Sequence, residues 1–314
     1  MPPTALQQET GDERIGALSG LFIIFLTVIF GVNTVAIKLA LTGMGPLTTA
    51  GLRFALAAAA IVGWARATGR SFRIPPARGP QLMVVCCGFT LQLCLFYLGL
   101  NRTYASRGVL ISNLLPFFVL FLSHGFIPGE RITWLKLAGI ALGFGGVAFL
   151  FVGATGAGGT MHLGDAIVLA AVSVWSCNIV YTKRIIDAFA PFHLVLYPML
   201  FSAPLFLAAG FLWDGGMIVD LNPVVLGAYV YQSLISAAFG FVAWSTMLKR
   251  FGASSLHSFL FIMPIAGVVC SGLMLDEPIT PNLLIAMVFI AGGILMVHLN
   301  PRKPSFTLPL GRGL

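Results

Sequence analysis

The chain has 314 residues, 58% of them hydrophobic and 9% charged, with a mean hydropathy of +0.96 and a formal net charge of +8. Soluble domains carry about 25% charged residues, so this composition excludes an ordinary soluble protein and leaves no room for a sizeable aqueous domain. The excess of 18 Lys+Arg over 10 Asp+Glu sits between apolar runs, where lipid and insertion topology account for it and nucleic acid is not needed as a partner.

Residues 1–16 carry Glu9, Asp12, Glu13 and Arg14 where a signal peptide needs a basic segment, and read as a cytoplasmic tail. Apolar runs bounded by Gly, Pro, Asn or charge follow at 17–41, 46–66, 80–101, 106–126, 133–153, 164–184, 191–212, 224–248, 254–274 and 281–300. Crossing ~30 Å of hydrocarbon takes ~20 apolar residues in a helix, so the expectation is an all-α integral membrane protein with ten transmembrane helices. The runs are too long, and too little alternating, for barrel strands. With the N-terminus inside, 14 of the Lys and Arg residues fall in inner loops and tails against two, Arg102 and Arg107, in outer ones. That asymmetry predicts cytoplasmic termini at both ends, including the tail 301–314. The outer loops hold Asp214, Asp220, Asp276 and Glu277 instead. The five cysteines lie inside apolar runs without metal-ligand spacing, so packed thiols and no metal site are expected.

The chain repeats itself. Phe96–Ser106 (FYLGLNRTYAS) aligns with Trp244–Ser254 (WSTMLKRFGAS), Glu130-Arg-Ile-Thr133 with Glu277-Pro-Ile-Thr280, and Gly145-Gly146 with Gly292-Gly293. Asn33 and Lys38 match Asn178 and Lys183, and Pro46 matches Pro191. This register predicts a first five-helix repeat at 17–153, a Gly-rich linker at 154–163 and a second repeat at 164–300. Five is odd, so the second repeat enters from the opposite side of the membrane, and the halves form an inverted pair that can open to either side in turn.

Several motifs recur in a fixed order: Phe30-Gly-Val-Asn33 with Lys38, Pro-Leu-Thr then Arg53-Phe54, Tyr97-Leu-Gly-Leu then Thr103-Tyr-Ala-Ser106, Pro116, Gly129-Glu-Arg131 and Gly145-Gly-Val147. In that order they resemble the EamA branch of the drug/metabolite transporter superfamily over nearly the whole chain, and most of all the YddG-type bacterial amino-acid exporters. The resemblance implies a central cavity lined mainly by spans one to four and six to nine, with the fifth and tenth peripheral. Asp276-Glu277-Pro278 departs from the Gly-Glu-Arg of the first half, so that turn is expected to behave differently.

Polar groups are expensive in hydrocarbon and tend to face the bundle interior. Asn33 and Asn178, one per repeat, suit either a zwitterionic ligand or an interhelical hydrogen bond. Gln92 and Gln232 lie on stripes of small, amide and aromatic residues in spans three and eight, with Trp244 on the latter, which fit a cavity wall or tight packing. Tyr97 and Trp175 could line the path, and Tyr231 likewise. Lys38 and Arg53 are candidate anion contacts; Lys38 could instead snorkel outward, and Arg53 could bind a backbone carbonyl or a ligand carboxylate. Pro116 and Pro264, mates in spans four and nine, are candidate hinges. Glu130 and Glu277 suit the N-termini of the spans that follow them, and His257 is the one histidine placed to carry a proton, a satisfied core histidine being its leading reading.

No acidic residue stands at mid-membrane, so proton coupling through an intramembrane carboxylate is not expected. No HExxH, GxSxG, Walker A or Rossmann run occurs, and neither an enzyme nor a cofactor is expected. The expected activity is facilitative export of amino acids, aromatic or otherwise neutral, and related small metabolites across the bacterial inner membrane by alternating access. The partners are a small-molecule substrate and membrane lipid. An exporter of toxic organic cations, or a non-transporting scaffold or channel, are the alternatives.

Overall fold

The structure, a computed structural model, describes residues 16–126, 133–152, 159–190, 192–251, 256 and 259–298. Its helices are α1 (Ala17–Ala40), α2 (Pro46–Ala67), α3 (Gly79–Arg102), α4 in two segments (Ala105–Ser112 and Leu115–Phe126), α5 (Trp134–Val152), α6 (Gly159–Ile185) and α7 (His193–Trp213). Then come α8 in three consecutive segments (Pro223–Val230, Tyr231–Gly240 and Phe241–Phe251), α9 (Ile262–Leu275) and α10 (Pro281–His298). Among the described residues there is no strand, only an isolated bridge between Met44 and Ile218. Seven helices are long and apolar enough to cross a membrane, and Trp134–Leu150, Ile262–Leu275 and Pro281–Val297 are shorter apolar helices. Each expected span coincides with one of these helices, the first residues of the ninth lying outside the described ones.

Local chemistry explains where the helices start. Proline occupies the first turn of α2, α3, α8 and α10, where its missing N–H has no partner to lose. The Asn222 side chain caps α8, accepting from the amides of Val224 and Val225 at 3.0 Å each. One boundary differs from expectation: α6 begins at Gly159, inside the segment taken as linker. Hydropathy marks the apolar part of a span, whereas the backbone ladder continues into the polar interface. Glu130, His257 and residues 154–158 of the linker lie outside the described residues.

The hinge prolines stand beside interruptions. α4 breaks at Asn113-Leu114, and Pro116 is the second residue of the segment that resumes. The turn Phe259–Phe261 precedes α9, whose third residue is Pro264. In a first turn proline costs no hydrogen bond, so the interruption rather than the proline is where backbone pairing is lost. The segment Tyr231–Gly240 of α8 is a π-helix, an unusual winding often found at functional positions.

Helix packing comes in exchanged sets. α2 lies on α7 and α5 on α10; α3 lies on α6 and α8 on α1; α4 lies on α6 and α9 on α1. The α5–α10 pair approaches closely, since a Cβ on Gly139 would sit 2.7 Å from the Gly293 carbonyl oxygen and one on Gly293 2.6 Å from that of Gly139. Small residues, glycine above all, let two membrane helices touch through their backbones. The interior is filled by Phe54, Phe96, Tyr97, Leu100, Leu110, Phe117 and Phe206. The outside presents Leu18, Phe211, Leu273 and Val288 to the surroundings, an apolar face suited to acyl chains, with Trp134 and Trp213 exposed at helix ends.

Candidate functional site

α1 packs against α3, α3 against α2, α2 against α8 and α8 against α1, so these four helices form a ring. Three side chains from different members meet inside it. Arg53 of α2 donates through Nη1 to the Tyr97 hydroxyl of α3 at 3.1 Å, and that hydroxyl donates to Oε1 of Gln232 on α8 at 3.0 Å. Arginine can only donate, so the phenol must spend its own proton on the amide oxygen, which leaves the Gln232 Nε2 pointing elsewhere. Tyr97 and Gln232 are fully buried and Arg53 is 6% exposed. The guanidinium also lies 5.2 Å from the Phe54 ring centroid.

The chain is incompletely satisfied. Arg53 Nε and Gln232 Nε2, both donors, and Gln92 Oε1 and Asn33 Oδ1, both acceptors, are buried with no hydrogen-bond partner among the described residues. At ~1.5 Å rise per residue, Asn33, Arg53, Gln92, Tyr97 and Gln232 lie at similar depth, between ~8 and ~15 Å from the same ends of their helices, with Gln92 on the face of α3 that Gly88 and Gly99 turn to α6. No ion pair joins Arg53 to an acidic residue among the described ones. At the position equivalent to Arg53 in the second half stands Pro198, so this cation is not duplicated.

The other candidates are employed differently. Asn178, half-buried on α6, fits into the space left by Gly88, where a Cβ would lie 2.8 Å from its Oδ1, and its Nδ2 donates to the Val85 carbonyl at 3.4 Å. It is therefore the interhelical bond of its two readings. Lys38 donates through Nζ to the carbonyls of Leu100 and Thr103 at 2.7 and 2.6 Å, closing the C-terminal end of α3. Trp244 stacks edge-on against Phe30 at 5.8 Å in the α1–α8 seam, away from the polar layer. Tyr231 staples the same seam, donating to the Ile29 carbonyl at 3.0 Å. Trp175 lies half-buried on α6, outside the ring.

A second polar group, missed in the sequence, closes the end of the bundle next to this layer. Asp165 of α6 accepts from the Thr103 hydroxyl at 2.6 Å and from Arg107, whose Nε stands 2.9 Å away and whose Nη2 also binds. Glu277 accepts from the amides of Ala105 and Ser106 at 2.5 and 2.9 Å and from the Ser106 hydroxyl at 2.6 Å. Asp214 accepts from the amide and hydroxyl of Thr48 at 2.8 Å each. The expectation that Glu277 serves a helix N-terminus is right in kind, but the helix is α4 and not α10. All three acids belong to residues 164–300 and all their partners to residues 17–153. The usable signal was that Arg107 and Lys38 share an end with the acids of the other half. At the opposite end, among the described residues, the contacts are to backbone carbonyls: His193 to Ser71 at 2.8 Å, Tyr197 to Phe72 and Arg184 to Phe126.

An all-helical apolar bundle that turns unpaired polar atoms inward from four mutually packed helices is built as a membrane transporter and not as an enzyme. Comparison with known proteins sharpens this. The chain belongs to the EamA-like transporter family, which matches it twice, over residues 18–152 and 162–299. It is 27% identical over 290 residues to a probable amino-acid metabolite efflux pump of Escherichia coli K12, covering 88% of this chain and 93% of the relative. It is 27% identical over 280 residues to a probable terminal-alkyne amino-acid exporter of Streptantibioticus cattleyicolor, covering 84% and 87%. An S-adenosylmethionine/S-adenosylhomocysteine transporter of Chlamydia trachomatis serovar L2 is 26% identical over 306 residues, covering 92% and 91%. A solved crystal structure shares the fold, with a TM-score of 0.65 at 21% identity over 90% of this chain and 96% of that one.

Proposed function

We propose that this chain exports amino acids and related small metabolites from the bacterial cytoplasm across the inner membrane by alternating access. In this reading its ten helices all span the membrane as two inverted five-helix repeats, 17–153 and 164–300, with both termini cytoplasmic. The observation that carries it is the set of buried, unpartnered donors and acceptors on Asn33, Arg53, Gln92 and Gln232, at similar depth on four mutually packed helices. Buried polar groups are nearly always paired, so a cluster of unpaired ones inside a transporter marks where cargo supplies the partners. The exchanged helix pairings support the inverted repeat, and the names of the amino-acid efflux relatives support the substrate class.

The end carrying Asp165, Asp214 and Glu277 is the outer gate in this orientation, and it is closed, since each acid ties the second half to the first. The interruptions ahead of Pro116 and Pro264 are the flexing points at which the halves rearrange. Transport is facilitative, because no carboxylate stands at mid-span to trade a proton against cargo, Asp165 lying at the start of its span and tied to Arg107. The buried Arg53 cation argues against a site for organic cations, which it would repel.

Counterflow in proteoliposomes tests the reading. Internal unlabelled amino acid should accelerate uptake of the labelled one without a pH gradient. Strict dependence on that gradient would overturn the uncoupled mechanism, and uptake indifferent to internal substrate would mean a pore.

A further inference from the structure

The connection between α2 and α3 carries chemistry that transport does not use. Arg66, Arg70, Arg73 and Arg78 are all exposed within these thirteen residues, and the sequence has no Asp or Glu between positions 15 and 129. None of the four joins an ion pair among the described residues. The segment is nevertheless held in place. Gly69, at φ +64°, ends α2 in a Schellman turn, its amide donating to the Arg66 carbonyl at 3.1 Å and that of Arg70 to the Ala65 carbonyl at 2.9 Å. The turn lays the Arg70 guanidinium 4.4 Å from the Trp64 ring centroid and 6.0 Å from that of Phe192, next to the start of α7. Beyond it the Ser71 carbonyl accepts from His193 Nε2 at 2.8 Å and the Phe72 carbonyl accepts from the Tyr197 hydroxyl, while the Phe72 ring stands edge-on to Phe192 at 6.1 Å. Insertion topology needs only a number of cations on one side, which a loose loop supplies as well. Here the backbone is pinned and one guanidinium rests its face on rings, a pose that leaves its in-plane N–H donors to a further partner. The corresponding connection of the second half, between α7 and α8, carries Asp214 and Asp220 with no Lys or Arg, and Asp214 is spent on Thr48 inside the fold.

We propose that the α2–α3 connection is a docking site for the phosphate of an anionic phospholipid headgroup, with Arg70 as the oriented contact and Arg66, Arg73 and Arg78 supplying the positive charge before and after it in the chain. A guanidinium binds phosphate through two parallel N–H donors, and its charge is delocalised enough to stay stacked on a ring while doing so. Two observations select a lipid over a soluble phosphate. Trp64, half-buried in the last turn of α2, is the kind of side chain that marks headgroup depth at a helix end. The segment runs directly into the first turns of α3, where Met83 and Val84 are exposed and offer acyl chains an apolar surface next to the cations. In the topology proposed above, the headgroup belongs to the cytoplasmic leaflet, whose anionic lipids attract cations at the ends of spans. The inference rests on that topology only for the choice of leaflet.

Native mass spectrometry of the purified full-length protein in a neutral detergent tests this by counting retained lipid, with dioleoylphosphatidylglycerol, dioleoylphosphatidylcholine and inorganic phosphate as probes. Phosphatidylglycerol should be retained in preference to phosphatidylcholine, and inorganic phosphate at equal concentration should not displace it. Arg70→Gln should weaken phosphatidylglycerol binding about fivefold, the factor that ~1 kcal/mol per cation amounts to, and the variant with all four arginines changed to Gln should lose the preference altogether. Arg102→Gln, an exposed arginine at the other end of α3, should leave it intact. Equal retention of the two lipids by the unmodified protein overturns the proposal and needs no variant to fold. So does a loss in Arg102→Gln as large as in Arg70→Gln, and displacement by inorganic phosphate would make this a site for a soluble anion. The two claims fail separately. Labelling of Ser71→Cys by an impermeant maleimide from the outer side would reverse the topology and leave the lipid site standing, whereas counterflow without lipid preference would leave the carrier and remove the site.

Discussion

Two groups of buried polar side chains lie a few turns apart in this bundle and treat their charges in opposite ways. At the gate end Asp165 meets Thr103 and Arg107, Glu277 meets the first amides of α4, and Lys38 meets the last carbonyls of α3, so each charge has its partners inside the fold. On the helices of the ring formed by α1, α2, α3 and α8, Arg53 has a phenol and no counter-charge among the described residues, and four buried polar atoms, its own Nε included, are unpaired. A buried charge that is fully matched holds two parts of a structure in one arrangement. A buried charge left unmatched raises the energy of the empty protein and is tolerated where a ligand repays it.

That contrast can be broken by substitution, and the largest effect belongs to the matched group. Asp165→Ala strands the buried Arg107 and should cost about 3–5 kcal/mol of stability, read as a lowered melting temperature in detergent. Adding Arg107→Ala should recover part of the loss; failure to do so would mean that the pair is not coupled. Glu277→Ala removes a charged acceptor from two amides and a hydroxyl, so a smaller loss of about 1.5–3 kcal/mol is expected. If the gate reading holds, this variant also shifts the resting protein toward outward opening, which site-directed labelling of a cysteine placed in the ring would register from the outer side. The smallest effect on stability is predicted for Arg53→Gln, which removes an uncompensated cation and should leave the melting temperature unchanged or raised. A fall comparable to that of Asp165→Ala would show that Arg53 is already paired within the fold.

Much of the architecture was legible before any coordinates. Spans of about twenty apolar residues admit one backbone solution in lipid, a helix with its hydrogen bonds closed internally. For that reason α1, α2 and α3 fall within a residue or two of where hydropathy puts them. The individual site residues were legible only as types. Asn33 and Asn178 are equivalent in the repeat, yet Asn178 is spent against Gly88 and Val85 while the Asn33 oxygen is free. Nothing in either local sequence distinguishes them, because the difference lies in which neighbour each helix meets. The π-winding of α8 around Gln232 was equally silent.

Composition and periodicity alone dictated an all-helical membrane chain in two similar halves, since hydrophobic transfer and backbone hydrogen bonding act residue by residue and leave their mark in the order of residues. Which polar groups would be satisfied was decided when the halves came together. Hydrogen bonds between Arg107 and Asp165, or among Arg53, Tyr97 and Gln232, join residues dozens of positions or more apart, and a bond of a few ångströms exists only once packing has brought both ends to the same place.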